Sequence, residues 1–252
     1  MRFASLGSGS GGNGLVVEAG ATRVLVDCGF SVEVAEERLA RLGLHPRDIK
    51  AIIVTHEHGD HAGGVMPFAR RHGVRVWMTH GTARAVPGAA GEAAVFDSHA
   101  PFAIDDLEVR PFPVPHDARE PAQLVLTDGV SRLGVLTDTG RSTRHIEAML
   151  SGCDALVLEC NHDPAMLAGG PYPDWLKTRI CGPFGHLAND VAAALLGALD
   201  RSRLRHVVAA HLSETNNRPE LATAALASVL GCTPSEIVVA DQASGFEWLE
   251  LS

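Results

Sequence analysis

The feature that most constrains this chain is a dense string of residue types that bind metals, HEHGDH at His56–His61, directly after a short apolar run. Such a run is typical of a buried strand, so the string is expected in the loop that leaves it. Alternate residues of an extended loop point the same way, so His56 and His58 can hold one ion while Asp60 and His61 turn to a second. Imidazole and carboxylate suit zinc, manganese or iron. Four such residues in six favour a metal site over a solvated polar loop.

Residues of the same types follow other apolar segments. Asp27 follows Val24–Val26, His56 follows Ile52–Thr55, His116 follows the segment 107–114, Asp138 follows Gly134–Thr137, and His211 follows Val207–Ala210. Binding sites of α/β proteins form at the carboxyl ends of strands. Five coincidences of this kind indicate one shared site rather than scattered polar residues.

The 252 residues, 46% hydrophobic, predict one large domain, 1–252, without a disordered segment. The segments 102–114 and 121–137 predict paired strands with a turn at Asp128-Gly129. Six short runs that are apolar throughout predict strands covered on both faces: Val24–Val26, Ile52–Val54, Val135–Leu136, Leu156–Leu158, Val207–Val208 and Ile237–Val239. Helix patterns lie between them: a stripe of Val32, Ala35, Leu39 and Leu42, a second stripe of Leu187, Val191, Leu195 and Leu199, and a helix that Pro219 opens and Leu230 ends. A layered α/β protein with mixed sheets is expected.

Composition sets further expectations. The five cysteines are scattered and never form a C-x-x-C pair, which favours reduced, buried thiols over disulfides or a thiolate zinc site. No apolar window is long enough for a membrane span and no signal peptide is visible, so we expect a cytoplasmic protein with no membrane partner. The net charge of −9 argues against broad attraction to nucleic acid, although bound divalent cations would offset it locally.

Asp27, the His56–His61 string, His116, Asp138 and His211 match, in order and spacing, the five motifs of the metallo-β-lactamase-fold hydrolases. Four further segments resemble the YycJ/WalJ branch of that superfamily, whose members are DNA exonucleases related to the ribonuclease Z group: 7–14, 159–163, 185–189 and 211–213. The resemblance covers essentially the whole chain. It implies a four-layer αββα sandwich of two mixed sheets flanked by helices.

The resemblance also implies a ligand set for two divalent ions. One ion would be held by His56, His58 and His116, and the other by Asp60, His61 and His211, with Asp138 as the bridge and Asp27 orienting the His56–His61 loop. His58 stands where the redox di-iron flavoproteins of the superfamily carry a carboxylate. A mostly nitrogen-ligated pair favours hydrolysis over electron transfer.

Two such ions lower the pKa of a bridging water and stabilise charge on the attacking and leaving oxygens, so a bridging hydroxide serves as nucleophile. A phosphodiester is a natural substrate for this chemistry. The candidate catalytic residues are Asp60, Asp138 and His186, the last as the general acid for the leaving 3′-oxygen. A histidine that only caps the following helix is the alternative for His186.

Substrate contacts are predicted less sharply. The glycine-rich loop 7–14 suits phosphate binding, which makes Ser8, Ser10 and Asn13 candidates beside His186. His162 fits three roles equally: a substrate contact, a residue that orients ligands, or a buried histidine held by Asp163. Four cations form either a basic rim for a nucleic-acid backbone or a solvated helix surface: Arg141, Arg144, Lys177 and Arg179. The three tryptophans and single tyrosine predict little stacking on bases: Trp77, Trp175, Trp248 and Tyr172.

The sequence therefore predicts a dinuclear metal-dependent phosphodiesterase, an exonuclease on DNA or RNA, with nucleic acid as its partner. The alternatives are hydrolysis of a small phosphodiester or of a thiolester, and a non-catalytic metal-binding module. Zinc or manganese is expected, with iron as the third candidate. The ligand types do not select one of them, because His/Asp sites follow metal availability as much as affinity. The oligomeric state is left open, with a dimer as one option.

Overall fold

The molecule is built on two β-sheets. A computed structural model of the chain describes residues 1–251. In chain order the strands are β1 (Arg2–Gly7), β2 (Gly14–Ala19), β3 (Thr22–Val26), β4 (Ala51–Ile53), β5 (Arg75–Thr79), β6 (Ala94–Phe96), β7 (Phe102–Ile104), β8 (Leu107–Pro113), β9 (Ala122–Thr127), β10 (Arg132–Leu136), β11 (Ala155–Glu159), β12 (His206–Ala210), β13 (Val238–Val239) and β14 (Phe246–Glu250). The predicted turn at Asp128-Gly129 joins β9 to β10.

Each sheet combines antiparallel and parallel pairing. The strand order is β14-β1-β2-β3-β4-β5-β6 in the first sheet and β13-β12-β11-β10-β9-β8-β7 in the second. Strands β3 to β6 run parallel, as do β10 to β13. All other neighbouring strands are antiparallel, including the pair that the last strand, β14, forms with β1. The carboxyl ends of the parallel strands therefore lie together at one edge of each sheet.

Helices cover the outer face of both sheets. They are α1 (Val32–Arg41), α2 (Gly59–Ala62), α3 (Val65–His72), α4 (His80–Ala85), α5 (Arg144–Leu150), α6 (Pro164–Gly169), α7 (Asp174–Ile180), α8 (Asn189–Ala198) and α9 (Pro219–Leu230). None of the helices within residues 1–251 has the length and apolar character needed to cross a membrane.

Three clusters of buried apolar side chains hold the layers together. The middle cluster, which includes Phe3 and Leu124, fills the space between the sheets. A second cluster packs α1, α3 and α4 onto the first sheet around Phe68, and a third packs α5, α8 and α9 onto the second sheet around Leu196. This arrangement of two mixed sheets between helices confirms the predicted αββα sandwich.

All six apolar runs contribute to strands, and five of them are buried as expected. Five of the six runs that predicted doubly covered strands fall in or at the end of β3, β4, β10, β11 and β12, and their side chains are buried. The sixth, Ile237–Val239, supplies only the two residues of β13, and both are half-buried. Strand β13 ends the second sheet, so it has a neighbouring strand on one side only and its side chains remain partly exposed.

The helix predictions are right for α1 and α9, and the stripe predicted around α8 is right at three of its four positions. Leu187, Leu195 and Leu199 are buried, whereas Val191 is 39% exposed. Ala192 and Leu196 are buried as well, because the small side chains of α8 allow close packing against α9. Helical periodicity therefore predicts most of the buried face, and the contact with α9 extends it.

Close backbone approach fixes the loop after β3 against the loop after β4. The Cys28 amide donates to the His61 carbonyl (2.8 Å). The loop between β1 and β2 joins them, because the Asn13 amide donates to the Asp60 carbonyl (2.7 Å). A Cβ atom at Gly29 would lie 1.9 Å from the Asp60 carbonyl oxygen. Only glycine therefore permits this packing.

We expect Gly29→Ala to lower the free energy of unfolding by about 1–3 kcal/mol or more, because one of the two loops must move. Urea denaturation followed by circular dichroism measures the change. Gly169→Ala is the matched control, since a Cβ atom there meets nothing within 4 Å. Equal midpoints for the two variants would show that the loops tolerate separation.

Candidate metal centre

The seven predicted ligands meet where the two sheets present the carboxyl ends of their parallel strands. His56, His58, Asp60 and His61 lie in the loop and short helix α2 that follow β4. Asp138 lies two residues after β10, and His211 directly follows β12. His116 comes from the loop that follows β8, an antiparallel strand whose carboxyl end reaches the same edge as that of β10.

Three imidazoles converge in the first group. His58 Nδ1 lies 3.0 Å from His56 Nε2 and 3.2 Å from His116 Nε2. The other ring nitrogen of His116, Nδ1, donates to the Gly185 carbonyl (3.1 Å). His116 Nε2 therefore carries a lone pair directed into the group.

Asp27 sets the orientation of His56 through Thr55. The Thr55 hydroxyl donates to Asp27 Oδ2 (2.8 Å) and accepts from His56 Nδ1 (3.0 Å). His56 Nε2 thus also carries a lone pair. The lone pairs of His56 Nε2 and His116 Nε2 both lie next to His58 Nδ1, whose single proton can serve only one of them, whereas a cation between the rings would serve all three nitrogens.

The second group consists of Asp60, His61 and His211. Asp60 Oδ2 lies 3.4 Å from His61 Nε2 and 3.3 Å from His211 Nε2. His61 Nδ1 donates to Asp27 Oδ2 (2.8 Å). Asp27 therefore orients His61 of the second group directly and His56 of the first group through Thr55, as its predicted orienting role requires. His61 is fully buried and Asp60 is partly exposed.

Asp138 joins the two groups. Its Oδ2 lies 3.0 Å from His61 Nε2, and its Oδ1 lies 3.7 Å from His116 Nε2 and 3.6 Å from His211 Nδ1. Although Asp138 is buried, its Oδ2 receives no hydrogen bond from any residue in the range 1–251. A buried carboxylate oxygen without a donor is costly unless a cation faces it.

Two site residues adopt a backbone conformation that L-amino acids rarely use. Asp27 has φ of 61° and His211 has φ of 56°, both in the left-handed region. Each residue directly follows a buried parallel strand, and the left-handed turn changes the direction of the chain at that point. Such strain costs about 1–2 kcal/mol per residue. It is typical of functional sites, where the surrounding structure holds the conformation.

The electrostatics of the site demand positive charge. Burial and the charges of His211 and His61 act in opposite directions on Asp138, and the histidines hold the pKa of its carboxyl well below the ordinary value. Burial lowers the pKa of His211, but Asp138 and hydrogen bonds to Asp60 and Glu159 raise it to about 10. Burial also opposes protonation of His61, yet Asp138 and Asp27 raise the pKa of its imidazole well above the ordinary value.

The first group behaves differently. Burial and the neighbouring His61 lower the pKa of His56, and burial lowers the pKa of His116. These imidazoles stay neutral and keep their lone pairs. Neutral imidazoles on one side and surplus carboxylates on the other form a donor set that fits divalent metal ions.

The glycine-rich loop 7–14 contacts three of the candidate ligands. Asn13 Nδ2 lies 3.0 Å from His61 Nε2 and 3.3 Å from Asp60 Oδ2. The Ser8 hydroxyl donates to Asn13 Oδ1 (3.1 Å) and accepts from the His211 amide (2.9 Å). Ser8 and Asn13 are buried and bonded to the chain itself, whereas Ser10 is exposed. Their predicted contacts with substrate stay predictions.

His162 is a buried histidine, but Asp163 does not hold it. Its Nδ1 lies 3.3 Å from Asn161 Oδ1, and burial lowers the pKa of its imidazole. The Asp163 carboxylate instead accepts from the Met166 amide (2.8 Å) as the N-cap of α6. Helix capping competes for the carboxylate, which the sequence pair His162-Asp163 does not reveal.

Glu159 is the site residue that the sequence analysis missed. It is fully buried at the end of β11, and its Oε1 accepts from His186 Nδ1 (2.7 Å) and from His211 Nδ1 (3.2 Å). Its Oε2 accepts from the Thr139 amide (3.0 Å) and the Leu187 amide (3.2 Å). The available signal was the rule used for the ligands, a polar residue that ends a buried apolar strand.

His186 lies inside the site. Its Nδ1 is 3.3 Å from Asp138 Oδ1 as well as 2.7 Å from Glu159, and its ring lies 5.3 Å from that of His116. Burial lowers the pKa of His186, and the charges of Glu159 and Asp138 outweigh that effect and raise it. The side chain is 22% exposed, so part of the ring faces the opening of the site.

With this geometry established, comparison with known proteins decides the family. Residues 7–169 match the Metallo-beta-lactamase superfamily. The chain belongs to the metallo-β-lactamase superfamily. The predicted family membership is therefore confirmed, and the superfamily match covers the strands, loops and helices that carry most of the centre.

Relatives of known name refine the placement within the superfamily. Over 235 residues the chain is 34% identical to exodeoxyribonuclease YycJ of Bacillus anthracis, covering 91% of this chain and 89% of that protein. A shorter stretch of 97 residues is 36% identical to ribonuclease Z of Methanopyrus kandleri, covering 38% of this chain and 30% of that one. The predicted resemblance to the YycJ/WalJ branch, with ribonuclease Z as a more distant relative, is confirmed.

Solved structures support the same fold. The metallo-β-lactamase fold protein YhfI from Bacillus subtilis aligns with a TM-score of 0.74 at 15% sequence identity, covering 99% of each chain. At this identity the likeness concerns the fold alone. It confirms that the two-sheet sandwich described above is the arrangement of the superfamily.

We expect Glu159→Gln to destabilise the protein and to weaken metal binding. An amide has one acceptor oxygen, so its NH₂ group must face either two imidazole N–H groups or two backbone N–H groups. Leaving buried donors unpaired costs about 1–3 kcal/mol, and loss of a group that orients ligands costs about 10- to 100-fold in metal affinity. Urea denaturation and competition with a metal chelator measure the two effects.

The control for this substitution is Glu92→Gln. Glu92 pairs with Arg70 on the surface (2.9 Å), where an ion pair contributes little to stability. If Glu159→Gln behaves like Glu92→Gln in both assays, Glu159 does not support the centre.

Proposed function

We propose that this protein is a metal-dependent nuclease that hydrolyses phosphodiester bonds of DNA as an exonuclease. The observation that carries the proposal is the pair of donor groups joined by Asp138, whose buried Oδ2 lacks a hydrogen-bond donor among residues 1–251. The name of the relative from Bacillus anthracis supports DNA as the polymer.

We further propose that the centre holds two divalent ions, zinc or manganese, with iron as the third candidate. His56, His58 and His116 would hold one, and Asp60, His61 and His211 the other, with Asp138 between them. When bound, such ions supply an ionised water and stabilise negative charge on the phosphate oxygens. The protein contributes by keeping the donors aligned, through Asp27 on one side and Glu159 on the other.

His186 is the proposed general acid. Because its Nδ1 is bonded to Glu159 (2.7 Å), its Nε2 lies on the opposite side of the ring, and the side chain is partly exposed. A proton held at Nε2 is therefore presented toward the opening, where a leaving 3′-oxygen needs one. Glu159 fixes the ring and stabilises the protonated form.

Two further expectations remain proposals. The two sheets are proposed to form one domain, since the middle apolar cluster joins them along their length. Ser10 and His186 are the predicted substrate contacts that are open to solvent, and Ser8, Asn13 and His162 would act on substrate only through the residues they touch.

A substrate panel tests the proposed function. Purified protein is incubated with Mn²⁺ or Zn²⁺ and with end-labelled DNA, end-labelled RNA or bis(p-nitrophenyl) phosphate. Progressive shortening of the labelled DNA is the expected result. Turnover of the small ester without cleavage of either polymer would assign the centre to a small phosphodiester instead.

Asp138→Asn is expected to reduce kcat for DNA by roughly 10²- to 10³-fold or more, because the shape is kept while the charge that joins the two groups is lost. Initial rates at saturating substrate measure the loss. Glu37→Gln, on the exposed face of α1, is the control with unchanged kcat. Turnover of Asp138→Asn at the wild-type rate would contradict a centre built around this carboxylate.

His186→Ala is expected to reduce kcat for DNA by roughly 10²- to 10⁴-fold with the metal content unchanged. Hydrolysis of bis(p-nitrophenyl) phosphate should change little, because its leaving group departs without a proton. Mass spectrometry of bound metal accompanies the kinetics. Loss of metal, or an equal loss of rate for both substrates, would show that His186 supports the centre rather than donating a proton.

A further inference from the structure

Phe184 exposes a large apolar ring beside the centre. Its side chain is 54% exposed, whereas the other seven phenylalanines of the chain are buried or half-buried. Single exposed apolar side chains are common on protein surfaces, so what distinguishes Phe184 is the backbone that carries it. The sequence analysis counted tryptophan and tyrosine as stacking groups and did not consider this residue.

The backbone around Phe184 is fixed to the candidate ligands. The Phe184 carbonyl accepts from the amide of Asp117 (3.0 Å), and the next carbonyl, Gly185, accepts from His116 Nδ1 (3.1 Å). A Cβ atom at Gly140 would lie 2.3 Å from the Pro183 carbonyl carbon and 2.4 Å from the Phe184 nitrogen, so this loop rests directly on the segment after Asp138. The backbone that carries the exposed ring is therefore fixed at the rim of the centre.

Two arginines belong to segments that are connected to the residues around Phe184. Arg179, in α7, pairs with Asp117 (2.6 Å) and so tethers α7 to the same rim. Arg141 is exposed and lies three residues after Asp138. The Thr139 hydroxyl donates a hydrogen bond to the backbone carbonyl of Arg141 (3.0 Å). Proteins that bind single-stranded nucleic acid combine aromatic rings, on which bases stack, with cations that meet the phosphates.

We propose that Phe184 is the platform on which an unpaired base of the substrate stacks, next to the phosphate that enters the centre. This inference rests on the proposed nuclease function. It narrows the substrate to a DNA strand whose terminal base is unpaired and can unstack from the adjacent base. Phe184 acts as a specificity-determining residue, because a substrate without a base loses the contact.

The test compares Phe184→Ala with wild type on two fluorescent single-stranded oligodeoxynucleotides. One carries all its bases, and the other lacks the bases of the terminal nucleotides at both ends. KM and kcat are measured with metal, and the Kd is measured by fluorescence anisotropy of the metal-loaded protein on phosphorothioate-linked forms of the two strands, which resist hydrolysis, so that binding is recorded without cleavage.

We expect Phe184→Ala to raise KM and Kd for the complete strand by roughly tenfold, the usual effect of one lost base–aromatic stack. The substitution should have little further effect on the strand without terminal bases, because that substrate already lacks the contact. Phe184→Trp should restore binding of the complete strand. Val130→Ala, in an exposed turn between β9 and β10, is the control with unchanged constants.

Three results would overturn the inference. Equal constants for wild type and Phe184→Ala on the complete strand would exclude stacking while leaving nuclease activity intact. An equal loss on both strands would show that Phe184 acts without touching a base. A change of oligomeric state in Phe184→Ala, seen by size-exclusion chromatography with strand affinity unchanged, would assign the ring to contact between copies of the chain.

Failure of the proposed function gives a different pattern. Wild-type protein would then neither bind nor shorten either strand, which overturns the stacking inference as well. Hydrolysis of bis(p-nitrophenyl) phosphate in the same preparation would show that the centre itself is intact.

Discussion

The structure depends on the balance of charge at the junction of the two sheets. Asp27, Asp60, Asp138 and Glu159 meet there, three of them fully buried, and carboxylates withdrawn from water are tolerated only when cations or donors face them. Imidazoles supply that partner on every side. The raised pKa values of His61 and His211 show how strongly the carboxylates favour positive charge at this point. Much of the architecture around the centre serves to hold these charges in register.

Topology explains why residues so far apart in sequence meet. Parallel strands present their carboxyl ends at one edge, and the two sheets pack so that these edges face each other. A short loop after each strand is then enough to place one or two ligands. The left-handed turns at Asp27 and His211 redirect the chain within a single residue, so little additional length is needed.

The sequence predicted the parts of this site that follow from strand ends and ligand types. The His56–His61 string and the single residues after β3, β10 and β12 were found in this way, whereas the sandwich was implied by the resemblance to the superfamily. Glu159 was missed because it was treated as part of a motif and not tested against the same rule. The exposure of Val191 in α8 and the partner of Asp163 could not be predicted, because tertiary packing decides the first and helix capping the second. Phe184 was missed because exposure depends on the loop that carries the ring, and local sequence does not report it.

The shared acceptor at Glu159 has a consequence for how such a centre can change. One carboxylate oxygen serves both His186 and His211, so the proposed proton donor and a proposed ligand rest on the same atom. A shift that improves one hydrogen bond lengthens or bends the other. A change at Glu159 would therefore alter the proposed proton donor and the proposed ligand at once, and a protein adapting to a new ester through this residue would have to adjust both together.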